Sequence, residues 1–172
     1  MKIFKRLKAK AGFSLIEILA VLFVVSMALL GVVSLITQNI QVQSINKNNL
    51  IAANLAQEGI ELTRQVRDLN WQNHQVFDAY LSDGNYTVDY RLGTSVPVIS
   101  INQTKIYLKD GFYVHDGGSE AGLTPTIFSR QIAIKKLSGD FSGALEVRSI
   151  VSWTDHNRPY NYELKTLLFD WR

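Results

Sequence analysis

The feature that most constrains this chain is the stretch KAKAGFSLIEILAVLFVVSMALLGVVSLI. Within it a run of 24 residues, Phe13 to Ile36, carries one charge, Glu17. About 20 consecutive apolar residues suffice to cross the hydrocarbon core of a bilayer as a helix. Five basic residues, Lys2, Lys5, Arg6, Lys8 and Lys10, precede Gly12. A basic flank stays on the cytoplasmic side, which sends the C-terminal body across the membrane. A secretory signal peptide fits poorly, because its apolar core runs about 7–15 residues and ends at a small-residue cleavage site.

Charge is unevenly placed. The chain has 172 residues, no cysteine and a formal charge of +3. Setting aside the five basic residues before Gly12 leaves 13 basic against 15 acidic, a balance of −2. No basic stripe survives in the body, so the high isoelectric point is not a nucleic-acid footprint. The missing cysteine excludes disulfides, thiolate metal sites and thiol catalysis.

Glu17 asks for an explanation. A charged acid deep in a spanning helix costs about 2.5–3.5 kcal/mol on insertion scales, and less near a helix end. Two explanations fit, and they are compatible. Ser14-Leu15-Ile16-Glu17 matches the S-x-x-E capping box, and a carboxylate in the first turn suits the helix dipole. Alternatively, a cut between Gly12 and Phe13 removes the basic leader and creates an ammonium at Phe13 for Glu17 to pair with. Residues four apart share a helix face, so the pair can form within one chain, or it can join neighbouring chains and fix their register.

The segment AGFSLIEILAVLFVVSMALLG resembles the class III signal of type IV pilins and type II secretion pseudopilins, over about 25 of the 172 residues. The resemblance implies that a prepilin peptidase cuts after Gly12 and methylates the new amine of Phe13, and that Glu17 is the subunit-assembly carboxylate. It also implies other pilin subunits, an inner-membrane assembly platform and, before assembly, membrane lipid as partners. Many family members carry a proline near mature position 22; here that position is Ser34, with Gly31 the nearest flexible residue. Whether this helix melts near Gly31–Ser34 on assembly therefore stays open.

Helical signals continue past Ile36. Ile51, Leu55, Gly59, Leu62, Val66 and Leu69 recur at helical spacing and mark one apolar face, with Glu58, Glu61, Arg64, Arg67 and Asp68 opposite. In this reading Glu61 lacks a suitable partner, whereas Arg64 and Asp68 are four apart. Gly59 in the stripe costs about 1 kcal/mol relative to alanine, which predicts close approach to a packed partner, a sheet. An unbroken helix from Ser14 to about Asn70 would be roughly 85 Å long.

From Asp83-Gly84 onward the period becomes two. YTVDYRL is expected to place Tyr86, Val88, Tyr90 and Leu92 on one face. TKIYLKDGFYVH reads as a hairpin turning at Lys109-Asp110-Gly111. In IFSRQIAIKKL, Phe128, Arg130, Ile132 and Ile134 alternate against Ser129, Gln131 and Ala133. ALEVRSIVSW and YNYELKTLLFDW form the last strands, joined by TDHNRP, and short connections make the pairing antiparallel. Pro97 argues against a central strand in LGTSVPVISINQ.

The expected fold is α+β and pilin-like: a long N-terminal helix whose C-terminal half packs on an antiparallel sheet. The expected organisation is a basic leader over 1–12, a transmembrane or filament-core helix over 13–36, its amphipathic continuation over 37–71, and a globular head over 72–172.

Catalytic signals are missing from the sequence. His74, His115 and His156 lie far apart and default to surface loops. Gly117-Gly118-Ser119-Glu120-Ala121 falls one glycine short of G-x-S-x-G and sits in a loop. Asp110, Asp116 and Glu120 do not match an EF-hand loop, so the default is a solvated loop with no metal, and no cofactor is expected. The head aromatics Tyr86, Tyr90, Tyr107, Tyr113, Trp153, Tyr160, Tyr162 and Trp171 default to a sheet core. A DNA or host-surface ligand has no support in the sequence. The expected function is structural: a subunit of a type IV pilus-like filament, with a secretion pseudopilin or an unprocessed membrane-anchored surface domain as alternatives.

Overall fold

The computed structural model describes residues 12–91, 95–98, 100–115, 121–139 and 143–170. The fold class is α+β: one long helix, α1 (Leu15–Gln72), and a seven-stranded antiparallel sheet. The chain divides into two units between Ser44 and Ile45.

In the first unit, α1 is long and apolar enough to cross a membrane, with a mean hydropathy of 2.8 in its most apolar window. None of that window is buried. The hydroxyls of Ser26 and Thr37 are satisfied by the helix itself. Ser26 donates to the Leu22 carbonyl at 2.7 Å, and Thr37 donates to Val33 and Ser34 carbonyls at 3.0 and 2.9 Å. This back-bonding removes the need for an external partner in an apolar surrounding. The helix is continuous through Gly31 and Ser34.

The second unit begins on the same helix. Its buried residues are Ala52, Leu55, Ala56, Gly59, Ile60, Thr63, Val66 and Asn70. The buried stripe is therefore rotated by about one residue from the expected one. Leu55, Gly59 and Val66 are central as expected, whereas Ile51, Leu62 and Leu69 are only half-buried. Small residues take the centre because the helix lies close to the sheet. Helix α1 ends in a Schellman motif: Gln75 N–H donates to the Asn70 carbonyl at 2.8 Å and His74 N–H to Trp71 at 3.1 Å. His74, with φ of 56°, takes the left-handed position that glycine usually fills.

The strands are β1 (Gly84–Val88), β2 (Ser95–Pro97), β3 (Lys105–Lys109), β4 (Phe112–Val114), β5 (Thr124–Lys136), β6 (Ala144–Asp155) and β7 (Arg158–Phe169), with a 3₁₀ turn at Ile101–Thr104. β5 is the hub. One of its edges carries β3 and β1, and its other edge carries β6, which pairs in turn with β7. Pro97 sits in β2, an edge strand paired only with β1 among the described strands, where its missing N–H does no harm. Two tight hairpins use two-residue turns with both φ positive: Asp110-Gly111 between β3 and β4, and His156-Asn157 between β6 and β7. Such turns match the twist of the flanking strands.

One strand ends earlier than expected. β1 stops at Val88; Tyr86 and Val88 are buried but Tyr90 is exposed, and Leu92 lies outside the described residues. The cause is Asp89, whose buried carboxylate accepts from the backbone N–H groups of Arg91 and His115 at 3.1 and 3.0 Å and so turns the chain out of the sheet. The alternation expected for β5 holds, with Phe128, Arg130, Ile132 and Ile134 all buried.

The core forms two apolar clusters. One contains Ile60, Val66, Leu81, Tyr86, Val88, Ile132, Ile134, Leu145, Val147 and Leu168. The other contains Ala52, Leu55, Ala56, Ile106, Phe128, Val151 and Trp153. Between them on β5 and β6 lie the polar residues Arg130 and Ser149, and Gly59 of α1 backs onto them. A Cβ on Gly59 would stand 2.7 Å from Ser149 Oγ, 2.8 Å from Ile132 Cδ1 and 3.2 Å from Arg130 Cδ. The close approach expected of Gly59 is thus present, and the sheet is its partner. Gly59→Val should destabilise the head by about 1–3 kcal/mol through overpacking, despite better helix propensity. Chemical denaturation followed by tryptophan fluorescence measures this, and an unchanged midpoint would contradict the packing described.

Candidate functional site

The N-terminal candidates lie together at the entrance of α1. Gly12, Phe13 and Ser14 precede the helix, and the Ser14 carbonyl accepts from Ile18 N–H at 3.2 Å and Glu17 N–H at 3.0 Å. Ser14 therefore holds the N-cap position, and Glu17 falls in the first turn, where the helix dipole favours a negative charge. Among the described residues, Gly12 and Phe13 are both exposed, Phe13 at 79%. Phe13 and Glu17 border one hollow with Ile18, Val21 and Leu22. The basic residues Lys2 to Lys10 lie outside the described residues.

The head holds a second constellation that sequence reasoning missed. Arg130 on β5 is 1% exposed. Its guanidinium donates to the Leu55 carbonyl of α1 at 3.1 Å, to the Val88 carbonyl at the end of β1 at 3.0 Å and to His115 Nε2 at 3.3 Å. Glu58 Oε2 of α1 is 3.2 Å away and completes an ion pair. Burial pushes the guanidinium below its usual pKa, and Glu58 works against that. Glu58 is therefore not on the solvent face as expected; it leans back to the sheet to compensate a buried cation. His115 is buried against Arg130, not on a surface loop as expected.

Asp89 extends the network. It binds Arg91 through a side-chain ion pair at 3.0 Å, and Arg91 also donates to the His115 carbonyl at 3.1 Å. Burial alone would raise the Asp89 carboxyl, but bonds from Arg91 and the His115 N–H hold it below the usual carboxylate value. Burial, assisted by the neighbouring Arg130 charge, lowers His115 to about 4. The arrangement has the chemistry of a polar clasp joining α1, β1, β5 and the segment after β4. It places no nucleophile beside a base.

Other candidates separate. Glu61 is partnered after all, since Arg64 reaches it at 2.7 Å, while Arg67 pairs with Asp68 at 2.9 Å. His74 caps the helix end, and His156 occupies a turn with Nδ1 2.7 Å from Asp155. Asp110 forms the β3–β4 turn; Asp116, Glu120 and the Gly117–Ala121 motif lie partly or wholly outside the described residues. Among the described residues, no group of three His, Asp or Glu could hold a metal ion. Tyr86 and Trp153 are core residues, and Tyr113, Tyr160 and Tyr162 pack against the second cluster. Tyr90 instead tilts against exposed Phe112, with ring centroids 5.6 Å apart. Trp171 lies outside the described residues.

Comparison with family models, with curated proteins and with solved structures returns no match for this chain.

The clasp makes the head acid-sensitive. A histidine whose folded pKa lies below its unfolded value binds its proton more readily when unfolded. Stability contributed by neutral His115 is therefore full above about pH 6.5, declines as pH falls towards 4, and is lost below that. The loss should be on the order of 3 kcal/mol. Asp89, with its lowered carboxyl, adds a further loss only at lower pH, below the ordinary aspartate range. Urea unfolding between pH 7 and 4 should show the first decline, and His115→Gln should flatten it.

Proposed function

We propose that this protein is a structural subunit of a type IV pilus-like filament, held in the cytoplasmic membrane through Phe13–Ile36, then processed and polymerised by helix packing. The observation that carries the reading is Phe13 and Glu17 beside one hollow at the entrance of an apolar helix with no buried residue in its most apolar window. That surface requires lipid or neighbouring chains to cover it. In this reading a prepilin peptidase cuts after Gly12 and methylates the Phe13 amine. Glu17 of one subunit then neutralises the terminal amine of its own or a neighbouring chain, setting the stagger of packed helices. The head lies outside the cytoplasm, on the cell surface once the filament is assembled on an inner-membrane platform.

The protein is in this reading a substrate of an enzyme and not a catalyst. A type II secretion pseudopilin would use the same N-terminal chemistry. The contrasting reading is an unprocessed membrane-anchored surface domain, for which the apolar helix alone would suffice.

Mass and N-terminal sequence of the protein isolated from its own cells separate the two. Loss of residues 1–12 with one added methyl on Phe13 is the expected result; an intact basic leader would leave the plain anchor. Glu17→Ala should insert into the membrane normally yet enter filaments at least tenfold less well. Incorporation at the normal level would reduce Glu17 to a helix cap.

A further inference from the structure

Helix α1 enters the head beside the β6–β7 turn, where Asn48 Nδ2 donates to Asp155 Oδ2 at 3.3 Å. The β3–β4 turn lies at the same end of the sheet. Phe128 pairs with Trp153, two residues short of Asp155, and Thr124, four residues before Phe128, pairs with Leu108 at the edge of that turn. Two hairpin tips, 109–112 and 155–158, therefore sit at the end of the head where the chain arrives from the apolar segment.

Phe112, on one of these tips, is 60% exposed, and Tyr90 beside it is 48% exposed, with the ring centroids 5.6 Å apart. Scattered exposed apolar residues are ordinary, but the backbone holds this pair outward. The buried Asp89 carboxylate turns Tyr90 out of the sheet, where continued alternation would face it inward. The Asp110-Gly111 turn, with both φ positive, fixes Phe112 opposite Lys109. Leu108 on the same hairpin is exposed, as are Lys47 and Arg158 at the same end. Asp110 is the one exposed acid there among the described residues.

Eight residues, 37–44, separate Ile36 at the end of the apolar run from Ile45, where the head unit begins. As helix they span about 12 Å, of which the headgroup layer takes about 5–7 Å. With the apolar run in a bilayer, the hairpin tips are within chain reach of the headgroups, whatever the angle between the two units. We propose that in the membrane-stored subunit this end of the head rests on the bilayer that holds α1; the proposal rests on the anchored reading given above. Phe112 and Tyr90 seat among the headgroups, and Lys47 and Arg158 meet lipid phosphates. A Tyr–Phe pair suits that layer, because the ring bodies meet acyl chain while the tyrosine hydroxyl stays wet. The contact costs little extra entropy, since the helix already tethers the head to the membrane. Entry into a filament then has to break it.

The chain has no cysteine, so a nitroxide on one introduced thiol reports one site. The full-length protein is placed one chain per nanodisc of phosphatidylethanolamine and phosphatidylglycerol. The label sits on Phe112→Cys or, as control, on Val76→Cys, an exposed apolar position just past the end of α1, at the opposite end of the head. The ratio of collisions with oxygen to collisions with a water-soluble nickel chelate should be at least fivefold higher at 112 than at 76. Leu108→Cys, a second exposed site on the hairpin, should also exceed 76. Equal ratios at all three sites, in chains that have entered the disc, would overturn this proposal and leave the anchored reading standing. A chain that does not enter the disc would overturn both. Shielding of 112 that arises only in discs holding two chains would assign the pair to a second copy and overturn the proposal.

Discussion

The head is organised around one buried cation. Arg130 donates to carbonyls of the helix and of β1 and is neutralised by Glu58 of the helix, so one guanidinium ties three elements together. A charge in such a place is tolerated only when fully bonded, and this requirement shapes its surroundings. It calls Glu58 back from the solvent side and fixes His115 as a neutral acceptor. The stem of Arg130 also has to pass beneath the helix, where Gly59 leaves room. The two apolar clusters on either side then supply ordinary hydrophobic stabilisation, while the clasp sets how the helix lies on the sheet.

The N-terminal segment follows the opposite logic. It carries apolar side chains outward, and the hydroxyls of Ser26 and Thr37 are bonded back to their own helix. Its one ionisable group lies in the first turn, next to the position where cleavage after Gly12 would release an amine. A pilin-like reading accounts for both features with a single chemical event. A plain anchor accounts for the apolar length but leaves Glu17 with only a capping role.

Much of this was legible in the residues. The period change near Asp83, the Asp110-Gly111 turn, the inward face of β5 and the close contact at Gly59 all follow from spacing and residue size. Three things were not legible, each for a physical reason. The helix stripe was read from its large apolar side chains, but Ala52, Ala56 and Thr63 face the sheet because only small residues permit so close an approach. Asp89 bends the chain out of β1 through backbone N–H groups of nearby Arg91 and distant His115, and the second of these a local pattern does not contain. Glu58 was assigned to solvent because its partner is far away in sequence. The available signal was Arg130 itself: a charge inside an alternating apolar strand demands a counter-charge from whatever packs on that face.

The back-bonded hydroxyls of Ser26 and Thr37 have an outcome for recognition. Hydroxyls turned in on their own main chain leave the flank with few donors and acceptors by which a neighbour could tell one azimuth from another. In the proposed filament the acid near one end supplies the clearest address, and an ion pair made there sets height first. In that filament, sliding along the long axis would cost more than a small rotation about it.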